Sequence, residues 1–312
     1  MRIVVVVILF VCFALSALLI VAVGQAFEYN TTVGTVGHIP EQATDDVFIT
    51  IPAVEIPLSA IPMPSGLAVE ENISAIIDYS NMEDGYIMVR YSASTDRALC
   101  VKITTPNSTE YIFELNNDME YEILPLTEGN GEYNIVVLRQ HDDRYFEIML
   151  EYALDVDLAD ELSPFLRTNQ YVNYDRDSLF LRNAVNIGVY TSDYEIIEAV
   201  HDFLVDNMTY CTSMVEFVSA GYIPCLDRAY TEMNGACFDY AALMTAMLRV
   251  HDIPSKLVIG YFLDEYHAWV EAYTETSGWI RKDPATISAG NRGRASSVYV
   301  SDDSNYIATR YY

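Results

Sequence analysis

A cysteine at position 237 stands where a turn meets a predicted helix. Gly235, two residues earlier, can adopt positive φ at no steric cost, which predicts a sharp turn there. Residues 241–248 are strong helix formers, and Leu243, Met247 and Val250 recur at helical spacing. Cys237 is therefore predicted near a helix N-terminus, where unpaired N–H groups and the helix dipole favour the nucleophilic thiolate. The alternative is a small core residue, the usual role of a cysteine in an apolar helix.

A nucleophilic thiol needs a base, and His267 is the candidate. It lies in an alternating run with Trp269, which predicts a β-strand. Asp283 ends a second short apolar run, just before Pro284. Two antiparallel strands would place His267 and Asp283 side by side, so that the carboxylate fixes the imidazole tautomer and stabilises the imidazolium. The predicted catalytic set is Cys237, His267 and Asp283.

Short motifs around these residues resemble the transglutaminase-like family of papain-like cysteine enzymes, in its exported prokaryotic form. They occur in the family's order between about residues 165 and 290, and they are Gly235-Ala236-Cys237-Phe238-Asp239-Tyr240-Ala241, Met247-Leu248-Arg249, Ile253-Pro254, Ile259-Gly260-Tyr261, His267-Ala268-Trp269, and Gly278-Trp279 with Asp283-Pro284. The resemblance implies an α+β fold in which the helix bearing the nucleophile packs on an antiparallel sheet. It also assigns the family's triad to Cys237, His267 and Asp283. One departure is His251-Asp252 at the helix end, where the family usually has glycine; aspartate can adopt the left-handed conformation at some cost.

The chain divides into four predicted segments. Residues 1–26 are a signal peptide or an N-terminal membrane anchor, because residues 3–23 form one uncharged, almost wholly apolar run. Residues 27–64 are a proline-containing spacer, 65–156 a β-sandwich-like domain, and 157–312 the catalytic domain. Either interpretation of the first segment places the remainder outside the cytoplasm.

The β-domain is predicted from short alternating runs separated by turn residues. These runs are 86–91, 99–103, 110–115, 133–138 and 145–150. In the catalytic domain we predict helices at 177–190 and 193–209, the second capped by Thr191-Ser192-Asp193, and we expect 298–300 and 306–308 to be closing strands or a frayed terminus.

The chain has 312 residues and a net charge of −28, with lysine only at 102, 256 and 282. Such acidity argues against nucleic acid, which needs a basic patch. Covalent cysteine chemistry needs neither metal nor nucleotide, so we predict no cofactor. No Cys-x-x-Cys pair and no EF-hand loop occurs, although the acidity leaves calcium as an alternative. Cys211 and Cys225 could close a disulfide in an oxidising compartment, or remain two unpaired thiols.

The residues together predict acyl transfer at amide bonds of a protein or peptide, which we expect at the cell surface. The Cys237 backbone N–H is the first predicted oxyanion donor, and Tyr222 and Tyr230 are weak candidates for the second. Asp239 is predicted to be a helix N-terminal charge. Water as acceptor would give a peptidase or amidase, which we favour, and an amine would give a crosslinking transglutaminase. A silent surface scaffold is the third alternative. Contact with the membrane is expected only through residues 3–23, and the oligomeric state is left open.

Overall fold

We analysed a computed structural model of the chain. It describes residues 61–142, 144–181, 184, 187–188, 190–214, 222–290 and 303–312, and these belong to one compact unit. The predicted signal or anchor segment and most of the predicted spacer lie outside the described residues. Within the described residues, no helix is both long and apolar enough to cross a membrane. The division into two domains near residue 156 stays a prediction.

The N-terminal part consists of two four-stranded antiparallel sheets, in the orders β1-β2-β3-β6 and β5-β4-β7-β8. All five predicted runs form strands. The strands are β1 (Val69–Glu71), β2 (Ala75–Asp78), β3 (Tyr86–Tyr91), β4 (Leu99–Thr104), β5 (Glu110–Glu114), β6 (Glu122–Pro125), β7 (Gly131–Gln140) and β8 (Phe146–Val156). Burial alternates along β4, where Val101 and Ile103 enter the core. Buried residues of both sheets join one hydrophobic core, as expected of a small sandwich.

The C-terminal part places a central helix against a four-stranded antiparallel sheet of order β13-β12-β11-β14, which confirms the predicted α+β class. The helix α3 (Cys237–Val250) is mostly apolar and every residue in it is buried, the pattern of a core helix. The elements are α1 (Asp193–Asn207), β9 (Thr209–Tyr210), α2 (Leu226–Glu232), β10 (Asn234–Gly235), α3 (Cys237–Val250), β11 (Ser255–Phe262), β12 (Glu265–Thr274), β13 (Gly278–Lys282), α4 (Pro284–Gly290) and β14 (Tyr306–Tyr311).

The last turn of α3 is attached to the sheet by a fully buried arginine. Arg249 Nε and Nη2 donate to the Ser255 carbonyl at 3.1 and 2.7 Å, and Nη2 also donates to the Tyr312 carbonyl at 2.8 Å. Asp252 then turns the chain with φ 56°, which confirms that aspartate adopts the left-handed conformation here. These bonds fix the helix relative to β11 and to the C-terminal strand.

Two predictions about the region before the nucleophile need correction. The helix expected at 177–190 does not form at 177–180, where Asp175 and Ser178 make a hydrogen-bonded turn instead. Residues 182, 183, 185, 186 and 189 lie outside the described residues. The disulfide considered between Cys211 and Cys225 is not formed: both thiols are free, and the Cys211 sulfur lies 3.2 Å from the Ser213 hydroxyl. The second predicted helix is confirmed as α1, with Ser192 accepting the Glu195 N–H.

Strand β14 confirms the closing strand predicted at 306–308, while 298–300 lie outside the described residues. It pairs with β11 and also contacts the N-terminal sheets, because the Thr127 hydroxyl donates to the Tyr311 carbonyl at 2.9 Å. A bulge interrupts the pairing between Ile259 and Gly260. A Cβ on Gly260 would lie 2.0 Å from the Ile307 carbonyl oxygen, so only glycine lets β14 approach this closely.

Candidate active site

The nucleophile candidate, Cys237, is the first residue of α3 and is 5% exposed. The turn before it differs from the prediction, since Gly235 does not have positive φ and lies in the short strand β10. Met233 takes the left-handed conformation instead, with φ 45°. Gly235 is required for a different reason: a Cβ there would lie 2.5 Å from the Asp239 Cβ. The glycine thus gives room for the carboxylate that starts the helix.

Asp239 fixes the start of α3, as predicted for a helix N-terminal charge. Its Oδ2 accepts the backbone N–H of Ala236 at 2.9 Å, which is the backward half of a capping box. Its Oδ1 accepts from Arg228 Nη2 at 2.7 Å and from the Tyr222 hydroxyl. The Asp239 side chain is fully buried, so this pairing compensates its charge. The Tyr222 hydroxyl donates its one hydrogen to Asp239, so the prediction that Tyr222 is an oxyanion donor is wrong.

The imidazole and the carboxylate meet as the sequence predicted. β12 and β13 are antiparallel, with Val270 opposite Lys282, so Asp283 leaves the sheet at the end where His267 lies. His267 Nε2 is 2.8 Å from Asp283 Oδ2, and both side chains are buried. Cys237 lies close enough to the same imidazole to raise its pKa. The structure thus brings Cys237, His267 and Asp283 together, and their catalytic role stays a prediction.

The interaction between His267 and Asp283 favours the protonated form of the His267 imidazole. Burial lowers the pKa of His267, but the charge of Asp283, the hydrogen bond to Asp283 and the nearby Cys237 sulfur outweigh it and raise that pKa to about 10. Burial alone would raise the pKa of Asp283, but the imidazolium, with its own hydrogen bond and that of Thr286, lowers it to about 2.

Two further residues, Thr286 and Tyr306, donate hydrogen bonds to the Asp283 carboxylate, and the sequence did not predict either contact. Thr286 N donates to Asp283 Oδ1 at 3.0 Å, because Asp283 caps α4, and its hydroxyl lies 3.2 Å from His267 Nε2. The Tyr306 hydroxyl donates to Asp283 Oδ2 at 2.7 Å. The contact of Thr286 could have been predicted from the sequence. Thr286 lies three residues after Asp283, a candidate N-cap residue that Pro284 follows. Tyr306 carried no signal, because only the folding of β14 against β11 brings it near.

One group among the described residues has the spacing of metal ligands. Glu198, His201 and Asp202 on α1 each offer a ligand atom, all within 4.8 Å of one another. These atoms already have protein partners: Lys282 Nζ donates to Glu198, and His201 Nδ1 lies 3.0 Å from Asp202 Oδ1. An ion would have to displace both interactions, so the group does not form a ready metal site.

A stretch of the C-terminal part matches a known family. Residues 183–284 match the model of the transglutaminase-like superfamily. The uncharacterized protein YebA of Bacillus subtilis (strain 168) is 26% identical over 213 residues, a match covering 55% of this chain and 26% of YebA. The chain thus spans about a quarter of the length of this curated relative.

Two solved structures show a limited likeness to the chain. A predicted cysteine protease from Cytophaga hutchinsonii is 17% identical with a TM-score of 0.40, covering 78% of this chain and 73% of its own. The periplasmic domain of TgpA from Pseudomonas aeruginosa is 14% identical with a TM-score of 0.33, covering 72% of this chain and 97% of its own. At these TM-scores the likeness carries no argument about function.

Proposed function

Because this chain carries a transglutaminase-like domain at residues 183–284, we propose that it is a cysteine-dependent enzyme that hydrolyses amide bonds of proteins or peptides. One observation carries the proposal: Cys237, the first residue of α3, lies close enough to the His267 imidazole to raise its pKa, and Asp283 holds that imidazole at 2.8 Å. A nucleophile, a base and a group that orients the base are the parts that acyl transfer through a thioester requires.

In the proposed reaction the Cys237 thiolate attacks the amide carbonyl and forms the C–S bond. Unpaired N–H groups in the first turn of α3 stabilise the developing oxyanion. His267 gives its proton to the departing amine, which breaks the C–N bond and leaves a thioester. His267 then takes a proton from water, whose hydroxide adds to the thioester carbonyl. Breakdown of this second intermediate releases the carboxylic acid and restores the thiolate and the imidazolium.

The choice of acceptor decides between hydrolysis and crosslinking, and a single assay separates them. We expect the wild-type protein to cleave peptides from a synthetic library with uptake of one ¹⁸O per new carboxyl group in H₂¹⁸O. Cys237→Ala should lose this turnover by on the order of 10⁴-fold or more. A dansylated primary amine in the same reaction measures amine transfer, and dominant amine incorporation would make the protein a transglutaminase. Absence of both products at all pH values would support the scaffold alternative.

We further propose that the catalytic part acts outside the cytoplasm, a location to which residues 3–23 would direct it. The support is the uncharged, apolar run itself, with Arg2 on its N-terminal side. Expressed in a bacterial host, the chain should be digested by protease added to intact spheroplasts. A version lacking residues 1–26 should be protected. Equal protection of the two chains would contradict this location.

A further inference from the structure

Exposed side chains form a patch on the sheet next to the candidate nucleophile. Tyr261 of β11 lies opposite Tyr266 of β12 and opposite Ile307 of β14, so the three side chains share one face. They are 43%, 48% and 60% exposed, and the two rings meet edge to face at 6.0 Å. We call these three residues the rim patch. Large apolar groups exposed together mark a binding surface more often than singly exposed ones do.

The rim patch lies on the side of the sheet that packs against α3, the helix that begins with Cys237. Successive strand residues face opposite sides, so Tyr266 shares its side of β12 with Ala268 and Val270, and both belong to the core that contains Cys237. Burial raises the pKa of Tyr266, the Arg310 charge opposes that rise, and the Cys237 thiolate adds to it. The strand register places Arg310 on the same face, because Arg310 lies opposite Ile259, two residues before Tyr261. A peptide whose amide reaches Cys237 would have its neighbouring side chains near these residues.

Arg310 places a positive charge beside this patch. It lies in β14 opposite Ile259, and its Nε donates to the Glu110 carbonyl at 3.1 Å. Among the described residues, no carboxylate lies within ion-pair distance of its guanidinium. The nearby Glu110 carboxylate is already bound by Lys102 Nζ at 3.0 Å. In a chain with a net charge of −28, such a cation is available to a negatively charged ligand.

These observations together point to an acidic ligand. The rings and Ile307 supply apolar contact area, and a guanidinium is the side chain best suited to bind a carboxylate. We propose that the rim patch and Arg310 form a subsite for a peptide residue that carries a carboxylate close to the scissile amide. The inference rests on the proposed function, because it names the substrate class of that same site.

A purely structural role for Arg310 is the competing explanation, since its Nε joins β14 to the edge strand β5. The two explanations differ in what the charge does. A structural bond to a carbonyl stabilises the fold equally for every substrate. A recognition role makes binding depend on the carboxylate of the peptide, so only that role predicts discrimination between glutamate and its neutral amide.

The test uses two synthetic peptide libraries that are identical except that every glutamate in one is glutamine in the other. Binding to the Cys237→Ala protein is measured by competitive affinity selection and mass spectrometry at 0.15 M salt, where long-range repulsion from the acidic surface is screened. We expect acidic peptides to bind about tenfold more tightly than their amide counterparts. Arg310→Gln should reduce this ratio to about one. Arg144→Gln, an exposed arginine of the N-terminal sheets, should leave it unchanged.

Two additional results make the outcome decisive. Arg310→Lys keeps the charge, so it should keep most of the discrimination, and melting temperatures identify any variant that fails to fold. Equal binding of the two libraries to Cys237→Ala, or binding of neither, would overturn the subsite. Turnover by the wild-type protein is scored separately. Discrimination in binding without any turnover would reject the proposed hydrolysis and keep the subsite.

Discussion

Replacing His267 with alanine is expected to lower the alkylation rate of Cys237 at pH 6 by about 100-fold. An ordinary thiol with a pKa of about 8.5 is only ~0.3% ionised at pH 6, whereas a thiol beside an imidazolium reacts largely as the thiolate. The wild-type rate should therefore change little between pH 6 and 8. In the variant the rate should rise about tenfold per pH unit over that range. Amide hydrolysis should fall by at least the same factor.

The measurement is iodoacetamide labelling with the modified cysteine mapped by mass spectrometry. Cys211 is a competitor, because its hydrogen bond to Ser213 lowers its pKa, and Cys225 is exposed. Both are therefore changed to serine in the wild-type and His267→Ala proteins. Cys100 serves as an internal control, since burial and the charge of Glu114 raise its pKa to about 12. Equal labelling of Cys237 with and without His267 would show that the imidazole does not activate the sulfur.

Asp283→Asn is expected to lower kcat by roughly 10³- to 10⁴-fold while leaving the protein folded. An amide in place of the carboxylate removes the charge that stabilises the imidazolium, and it favours the wrong imidazole tautomer. The remaining carbonyl oxygen can still accept the Thr286 N–H that begins α4. Kinetics with the substrate found in the library assay measure the loss, and circular dichroism checks the fold.

Asp283→Asn is also expected to change how the free energy of unfolding depends on pH. The pKa of Asp283 is lowered from 3.8 to about 2, so its contribution is present above pH 3.8 and is lost as the pH falls through 2. The pKa of His267 is raised from 6.5 to about 10, so its contribution is present below pH 6.5 and is lost as the pH rises through 10. The stability difference between wild type and Asp283→Asn should therefore be largest between pH 4 and 6.5 in urea unfolding.

Tyr306→Phe is the matched control for this experiment. It removes one hydrogen bond to Asp283 and keeps the carboxylate with its charge. The pH dependence of its stability should therefore resemble that of the wild type, and its kcat should fall far less than that of Asp283→Asn. A loss in Tyr306→Phe equal to that in Asp283→Asn would mean that the carboxylate acts through its position and not through its charge.

The sequence by itself predicted the strands and helices that have a local pattern of apolar and polar residues. Alternation of apolar and polar residues located five strands of the N-terminal sheets, because each buries one face against a shared core. The helix formers after Cys237 predicted α3, and the motif spacing predicted that His267 and Asp283 would meet. The left-handed Asp252 was also open to prediction, since few residues other than glycine tolerate that conformation.

Other features depended on contacts in the folded chain that no local sequence pattern records. Glycine is needed at 235 because the Asp239 side chain leaves no room for a Cβ there. The residue with positive φ is Met233, not Gly235 as the sequence predicted. Tyr222 was considered as an oxyanion donor, but the partner of its hydroxyl is Asp239, a carboxylate that only the packed helix start brings within reach. Tyr306 and Arg310 reach the candidate site because β14 pairs with β11. The periodicity of a strand specifies which of its faces is buried. Which other strand it pairs with is decided by the packing of the whole sheet.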